Sequence, residues 1–331
     1  MSELYAVTSG DPAGIGPDIS LKIALREDSH QFVVFGNMDL LRERSEMHAM
    51  DIKFIEFDEA TSDSQIQKNT LLVKNFNLNQ SIQPGVMDSK NGSYTLSMID
   101  DAVKGCMDGR FTGCITGPVN KESIAKSGYE FSGHTEYIGK LCNRMPVMTF
   151  ISDHMKIALL TTHLPIKDVP GQITLQGIMD VAKIIHADLV NYFGIKNPKI
   201  GITGLNPHAG ENGHIGREEE EIFLPALKSL NDSGIHVDGP YAADTILLND
   251  TGHDLIISIF HDQLLPLFKH ANPHLSTNVT MGLKIIRTSV DHGVAFDKVG
   301  TPDINHQSLY HALDTAKSMA NSYEKTKSDQ S

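Results

Sequence analysis

The stretch Ile157-Ala158-Leu159-Leu160-Thr161-Thr162-His163 decides how the rest of the chain is read. Four consecutive aliphatic residues predict a buried strand, and polar residues then take over within three positions and end in histidine. The arrangement recurs twice: Ile200–Leu205 gives way to Asn206-Pro207-His208, and Leu255–Phe260 to His261-Asp262-Gln263. Other short aliphatic runs, Leu4–Thr8, Phe32–Phe35 and Cys114–Thr116, alternate with stretches whose apolar residues fall three and four apart. Leu96, Ile99, Val103 and Cys106 form one such helical face, and Leu309, Leu313, Ala316 and Ala320 another. This alternation predicts an α/β fold in which helices cover a mostly parallel sheet. The carboxyl ends of parallel strands share one edge, and ligands bind beyond it. A single histidine there reads as a satisfied loop residue. Three with the same placement, His163, His208 and His261, read as imidazole ligands of one divalent cation with an open position, zinc first and magnesium or cobalt next.

The 331 residues are 40% hydrophobic and 21% charged, the balance of a globular enzyme of one large domain or two lobes. Twenty-eight Lys and Arg against 41 Asp and Glu leave a net charge of −13, which disfavours a nucleic-acid binder. Cys106, Cys114 and Cys142 are odd in number and lack C-x-x-C spacing, so neither a disulfide framework nor a cysteine zinc site is expected. With no leader-like or membrane-spanning apolar segment, the chain reads as cytoplasmic and free of membrane. The polar segment from Glu59 to Tyr94, with Gln83-Pro84-Gly85 and Asn91-Gly92, reads as hairpin-like excursions outside the core. The run Glu218-Glu219-Glu220-Glu221 reads as a solvated helix start, with a metal site the weaker alternative.

Two segments suggest anion recognition. Lys269, Asn278 and Arg287 follow His261, and two cations with an amide can clamp a carboxylate or phosphate in a chain that is otherwise acidic. Gly133-His134-Thr135-Glu136 precedes an amphipathic helix; His134 and Thr135 are anion contacts there unless Thr135 is simply the helix cap. The turn Ser9-Gly10-Asp11-Pro12-Ala13-Gly14-Ile15-Gly16-Pro17 is not a dinucleotide fingerprint, because Ile19 stands where the third glycine belongs. Mechanical turn and ligand-facing backbone both remain open for it, and no residue is assigned to a cofactor.

The motifs Gly10–Pro17, Ile115–Lys121, Gly133–Glu136, Thr161–Pro165, Asn206–Glu211, His261–Gln263 and Arg287–Gly293, in this order over nearly the whole chain, resemble those of the 4-hydroxythreonine-4-phosphate dehydrogenases. That resemblance implies a two-lobed α/β/α fold similar to isocitrate and isopropylmalate dehydrogenases, with a mostly parallel sheet and the active-site cleft between lobes. On this chain the lobes would be 1–128 with 247–331, and 129–246, the second carrying dimer contacts. It implies a homodimer with active sites at the interface, NAD or NADP as cofactor and a divalent cation. The metal ligands fall on His163, His208 and His261, and substrate contacts on His134, Thr135, Lys269, Asn278 and Arg287. Asp262, Asp244 and Asp291 are rivals for orienting a ligand or moving a proton. The implied reaction is oxidation of 4-phosphohydroxy-L-threonine to a β-keto acid that decarboxylates to 3-amino-2-oxopropyl phosphate, in pyridoxal 5′-phosphate synthesis. Alternatives are a dehydrogenase of a phosphorylated sugar acid, phosphothreonate or phosphoerythronate, and, in other classes, a metal-dependent hydrolase or a non-catalytic sensor. The segments 269–277 and 300–306 depart from the family's usual pattern and bear on loop shape and cofactor fit.

Overall fold

A computed structural model describes residues 4–58, 68–248 and 252–330. Among them are twelve strands and ten α-helices, numbered here along the chain. They divide into two compact units, Met1–Met145 with Leu283–Lys317, and Pro146–Gly282 with Ser318–Ser331. No helix among the described residues is long and apolar enough to cross a membrane.

The first unit carries six parallel strands: β1 (Tyr5–Thr8), β2 (Phe32–Gly36), β3 (Lys53–Glu56), β4 (Thr70–Asn75), β5 (Gly113–Thr116) and β12 (Ile286–Ser289), in the order β3-β4-β2-β1-β5-β12. β1, β2 and β5 are buried along their whole length, as strands covered on both faces must be, which is why they read as continuous apolar runs. Helix α3 (Gly92–Met107) lays Leu96, Ile99 and Val103 into a core with Phe35, Phe111 and Leu72. Each fully buried side chain of this size is worth about 1.5–3 kcal/mol over leaving it in water.

Part of the segment expected to lie outside the core belongs to it. β4 pairs β2 on one side and β3 on the other, with Leu71, Leu72 and Val73 buried, and Tyr94 is 2% exposed on α3. Only three aliphatic residues in a polar context mark β4, too few for a periodic signal. The turn at Gln83-Pro84-Gly85 is present, closed by Val86 N–H donating to Gln83 O at 3.1 Å; residues 59–67 of that expectation lie outside the described residues. The glycine turn after β1 is filled by protein. Gly10 has φ +77°, and a Cβ there would strike Pro118 O, while one on Gly16 would strike Ser9 O.

The second unit is mixed. β6 (Val147–Ile151) is antiparallel to both β11 (Thr277–Met281) and β7 (Lys156–Leu159), whereas β7, β10 (Leu255–Ser258), β8 (Ile200–Thr203) and β9 (Val237–Tyr241) run parallel, in the order β11-β6-β7-β10-β8-β9. Helix α7 (Leu175–Phe193) buries Ile178, Val181, Ile185 and Leu189. The chain passes between the units at 145/146, 282/283 and 317/318, where 128/129 and 246/247 were expected. Helix α5 (His134–Cys142) buries Ile138 and Cys142 in the core of the first unit, and β10 lies between β7 and β8 in the second. All three cysteines are free thiols.

Candidate functional site

β7, β10 and β8 are parallel neighbours, so the segments leaving their carboxyl ends, which carry His163, His261 and His208, start from one edge. Hydrogen bonds tie those ends together. Leu160 N–H donates to Ser258 O (2.8 Å), and Ile259 O accepts from Thr161 N–H (3.1 Å) and from the Thr161 hydroxyl (2.7 Å). Gln263, in the first turn of α9 (His261–Ala271), joins the other side. Its Oε1 accepts from Thr203 Oγ1 (2.7 Å), Ile259 N–H (2.8 Å) and Ser258 Oγ (3.2 Å), and its Nε2 donates to Gly204 O (2.7 Å).

The rings of His163 and His261 lie 5.5 Å apart, inclined at 40°. His261 Nδ1 is 2.6 Å from Asp262 Oδ1. A carboxylate only accepts, so this contact puts the proton on Nδ1 and leaves the Nε2 lone pair for a cation, a common way to orient an imidazole ligand. The donor chemistry at His163 and His261 therefore fits a divalent cation. His208 lies apart on an exposed turn, its Nδ1 3.9 Å from Glu211 Oε2. Among the described residues of the single chain no three His, Cys, Asp or Glu side chains are grouped closely enough to hold a metal. Asp244 is exposed in a turn after β9, and Asp291 belongs to the first unit, where its N–H donates to Ser308 Oγ at 2.9 Å.

Lys269 and Asn278 each neighbour Phe150. Lys269 Nζ sits 5.7 Å from the centroid of Phe150, and Phe150 is the partner of Asn278 in the β6–β11 register. Asn278 Oδ1 is buried and has no hydrogen-bond partner, an acceptor awaiting a donor.

In the first unit Arg287, on β12, is 1% exposed and donates from Nη2 to Thr116 Oγ1 at 2.6 Å. Burial brings its pKa down to about 10, against the opposing pull of Cys114 and Glu136, so it stays a cation at neutral pH. His134 opens α5. Burial, then the charges of Arg287 and Lys121, hold its pKa well below the usual imidazole value, and its buried Nε2 has no hydrogen-bond partner. Thr135 is buried one residue further on, and the helix is capped by Gly133, which corrects the reading of Thr135 as the cap.

Three residues of these sites are not marked by any local sequence signal of their own. Gln263 and Thr116 lie inside the quoted motifs but carry no charge. Glu219, assigned to a solvated helix start, is 3% exposed. Its Oε1 accepts from Asn206 N–H (2.8 Å) and its Oε2 from Asn206 Nδ2 (2.9 Å), so the acidic run reaches back to the His208 segment. Asn206 and the histidine two residues on were the available signal, since an amide beside a candidate ligand needs partners of its own.

One unit of this α/β protein carries imidazoles beyond the carboxyl ends of parallel strands, the edge where such folds bind ligands, and the other buries a guanidinium beside a neutral histidine, the kind of group enzymes use on small anions. Residues 28–316 match the family model described as pyridoxal phosphate biosynthetic protein PdxA, and the chain belongs to that family. A 4-hydroxythreonine-4-phosphate dehydrogenase of Vibrio vulnificus (strain YJ016) is 40% identical over 322 residues, covering 96% of this chain and 98% of that protein. The crystal structure of a 4-hydroxythreonine-4-phosphate dehydrogenase from Klebsiella pneumoniae superposes with a TM-score of 0.86 at 30% identity, covering 96% of this chain and 100% of that one. A terephthalate 1,2-cis-dihydrodiol dehydrogenase from Burkholderia xenovorans LB400 is more distant, with a TM-score of 0.66 at 25% identity over 96% of this chain and 98% of that one.

Proposed function

We propose that the chain oxidises the secondary alcohol of 4-phosphohydroxy-L-threonine with NAD or NADP, and that the resulting β-keto acid loses carbon dioxide to give 3-amino-2-oxopropyl phosphate for pyridoxal phosphate synthesis. Family membership over the whole length favours an oxidoreductase over a hydrolase or a sensor. The observation that carries the chemistry is the His163–His261 pair with His261 oriented by Asp262. His163, His208 and His261 would hold a divalent cation, which when bound supplies Lewis acidity to the alcohol and to the charge left as carbon dioxide departs, while the nicotinamide supplies the hydride acceptor.

The chain's own groups bind and orient. Arg287 and Lys269 neutralise the anionic ends of the substrate, and the planar fork of Arg287 suits a phosphate or carboxylate. Asn278 Oδ1 accepts from the substrate amine or a hydroxyl. Neutral His134, with Thr135, can exchange a hydrogen bond with an anionic oxygen without adding charge. The glycine turn after β1 is closed by backbone and is not offered as the nicotinamide cradle. A homodimer whose sites draw on two copies belongs to the same proposal, and it accounts for one chain bringing His163 and His261 together while leaving His208 apart.

The test is the rise in reduced-nicotinamide absorbance when purified protein is given NAD or NADP, a divalent cation and one phosphate ester. Turnover is expected with 4-phosphohydroxy-L-threonine. Faster turnover of phosphothreonate or phosphoerythronate would move the assignment to a sugar-acid dehydrogenase, and no reduction with any of them would overturn the oxidoreductase reading.

A further inference from the structure

We propose that Glu219 is a positioning residue whose buried carboxylate holds Asn206, and through it the left-handed turn that presents His208. The inference rests on the reading of His208 as a ligand. From His208 to Gly213 every residue has positive φ: 52°, 52°, 78°, 46°, 54° and 82°. His208, Ala209, Glu211 and Asn212 are L residues in a region that disfavours them, and such a run persists only where its surroundings fix it.

The clamp is built from both sides. Both Glu219 oxygens accept from Asn206, one from its backbone N–H and one from its side-chain amide, and Glu218 Oε2 accepts from the same amide at 2.8 Å. Two carboxylates on one nitrogen fix which way the Asn206 amide faces. Glu219 forms no ion pair with a Lys or Arg among the described residues, so its charge is met by these donors. The turn makes room for it: a Cβ on Gly210 would come within 2.7 Å of Glu219 Oε2, and one on Gly204 within 2.9 Å of Oε1. Residues Glu219–Phe223 form a π-helical turn, a local widening frequent at functional sites.

Glu219→Gln keeps the shape but puts an amide where Asn206 needs an acceptor. Turning the Asn206 amide over to suit it would set the Asn206 oxygen against Glu218. The full-length protein, freed of metal by chelation, is examined by hydrogen exchange over 206–216 and then by titration with Co²⁺ alone, followed by its visible absorbance. Faster exchange of that segment and Co²⁺ binding weaker by about 10–100-fold are expected, as for other groups that orient a ligand. Glu221→Gln, on the exposed side of the same turn, should change neither. Asn206→Ala breaks the side-chain part of the clamp from the other partner and is read in the same two measurements, so a Glu219→Gln protein that fails to fold still leaves a decisive result. Unchanged exchange, or faster exchange with Co²⁺ affinity within about twofold of the parent, overturns the clamp. His208→Ala separates the two readings: if it too binds Co²⁺ normally, the ligand assignment has failed, and if it alone loses Co²⁺, only the clamp has.

Discussion

Replacing Arg287 by lysine keeps a positive charge on β12 but removes the planar fork and the bond to Thr116 Oγ1. The residue is 1% exposed, so solvent cannot substitute for the lost geometry. Arg287→Lys should lower kcat/KM by about 10–100-fold, the worth of one charge-assisted hydrogen bond. A ratio within about twofold of the parent would move the anion site to His134 and Thr135. Asp188, on α7, answers to a different measurement. Burial pushes its carboxyl up to about 6, although its Oδ2 accepts Gly282 N–H at 2.7 Å. A carboxyl whose folded pKa lies above its unfolded value burdens the fold above the folded pKa and gives the stability back as pH falls toward the unfolded one. Asp188→Asn keeps an acceptor for Gly282 and removes the buried charge. It should therefore raise stability by ~1–3 kcal/mol at pH 7.5, with the gain fading between pH 6 and 4, in melts recorded across that range. Equal gains at pH 7.5 and 4 would assign the effect to packing.

At the scale of elements, one side chain does most of the joining at the histidine edge. Gln263→Ala strips partners from Ile259 N–H, Gly204 O and the Thr203 hydroxyl, which keeps only its 3.2 Å contact to Ile257 O. Urea unfolding should show a loss of ~2–4 kcal/mol, because buried polar groups left without partners carry their full desolvation penalty. A loss under about 0.5 kcal/mol would mean that water replaces the amide. The strands that built this edge were legible in the sequence. Apart from Lys156 at the start of β7, the residues of β7, β8 and β10 are buried, and each of these strands opens into an apolar run whose polar residues begin where the sheet ends. β3, β9 and β11 were not legible, for reasons of position. β3 is an edge strand with both ends exposed, and β11 alternates Thr and Asn with Val and Met. β9 carries Gly239-Pro240, which argues against an interior strand and is tolerated because β9 lies at the sheet edge. The histidines could be placed from strand ends alone, whereas the Glu219 and Gln263 bonds depend on which strands become neighbours, and that order is not written in any local run.

Across the whole molecule, the activity could be read only from the resemblance, since no local pattern names a substrate, and the expected cofactor and assembly rest on it too. The proposed homodimer can be tested with the histidines themselves, because one chain brings His163 and His261 together and leaves His208 on a separate turn. If His208 completes the partner copy's site, then His208→Ala and His261→Ala, each inactive alone, should complement one another. In a hybrid dimer, one site takes His163 and His261 from the His208→Ala copy and His208 from the His261→Ala copy, and is whole. The other site has lost both. Random exchange makes half the dimers hybrids with one working site of two, so the mixture should recover about a quarter of parent activity, a consequence of two-fold symmetry and not of any contact energy. The check is nicotinamide reduction after mixing, with exchange followed by mass spectrometry of differently tagged subunits. Background activity at complete exchange would place all three histidines in one copy's site and return the question to how a single chain could gather them.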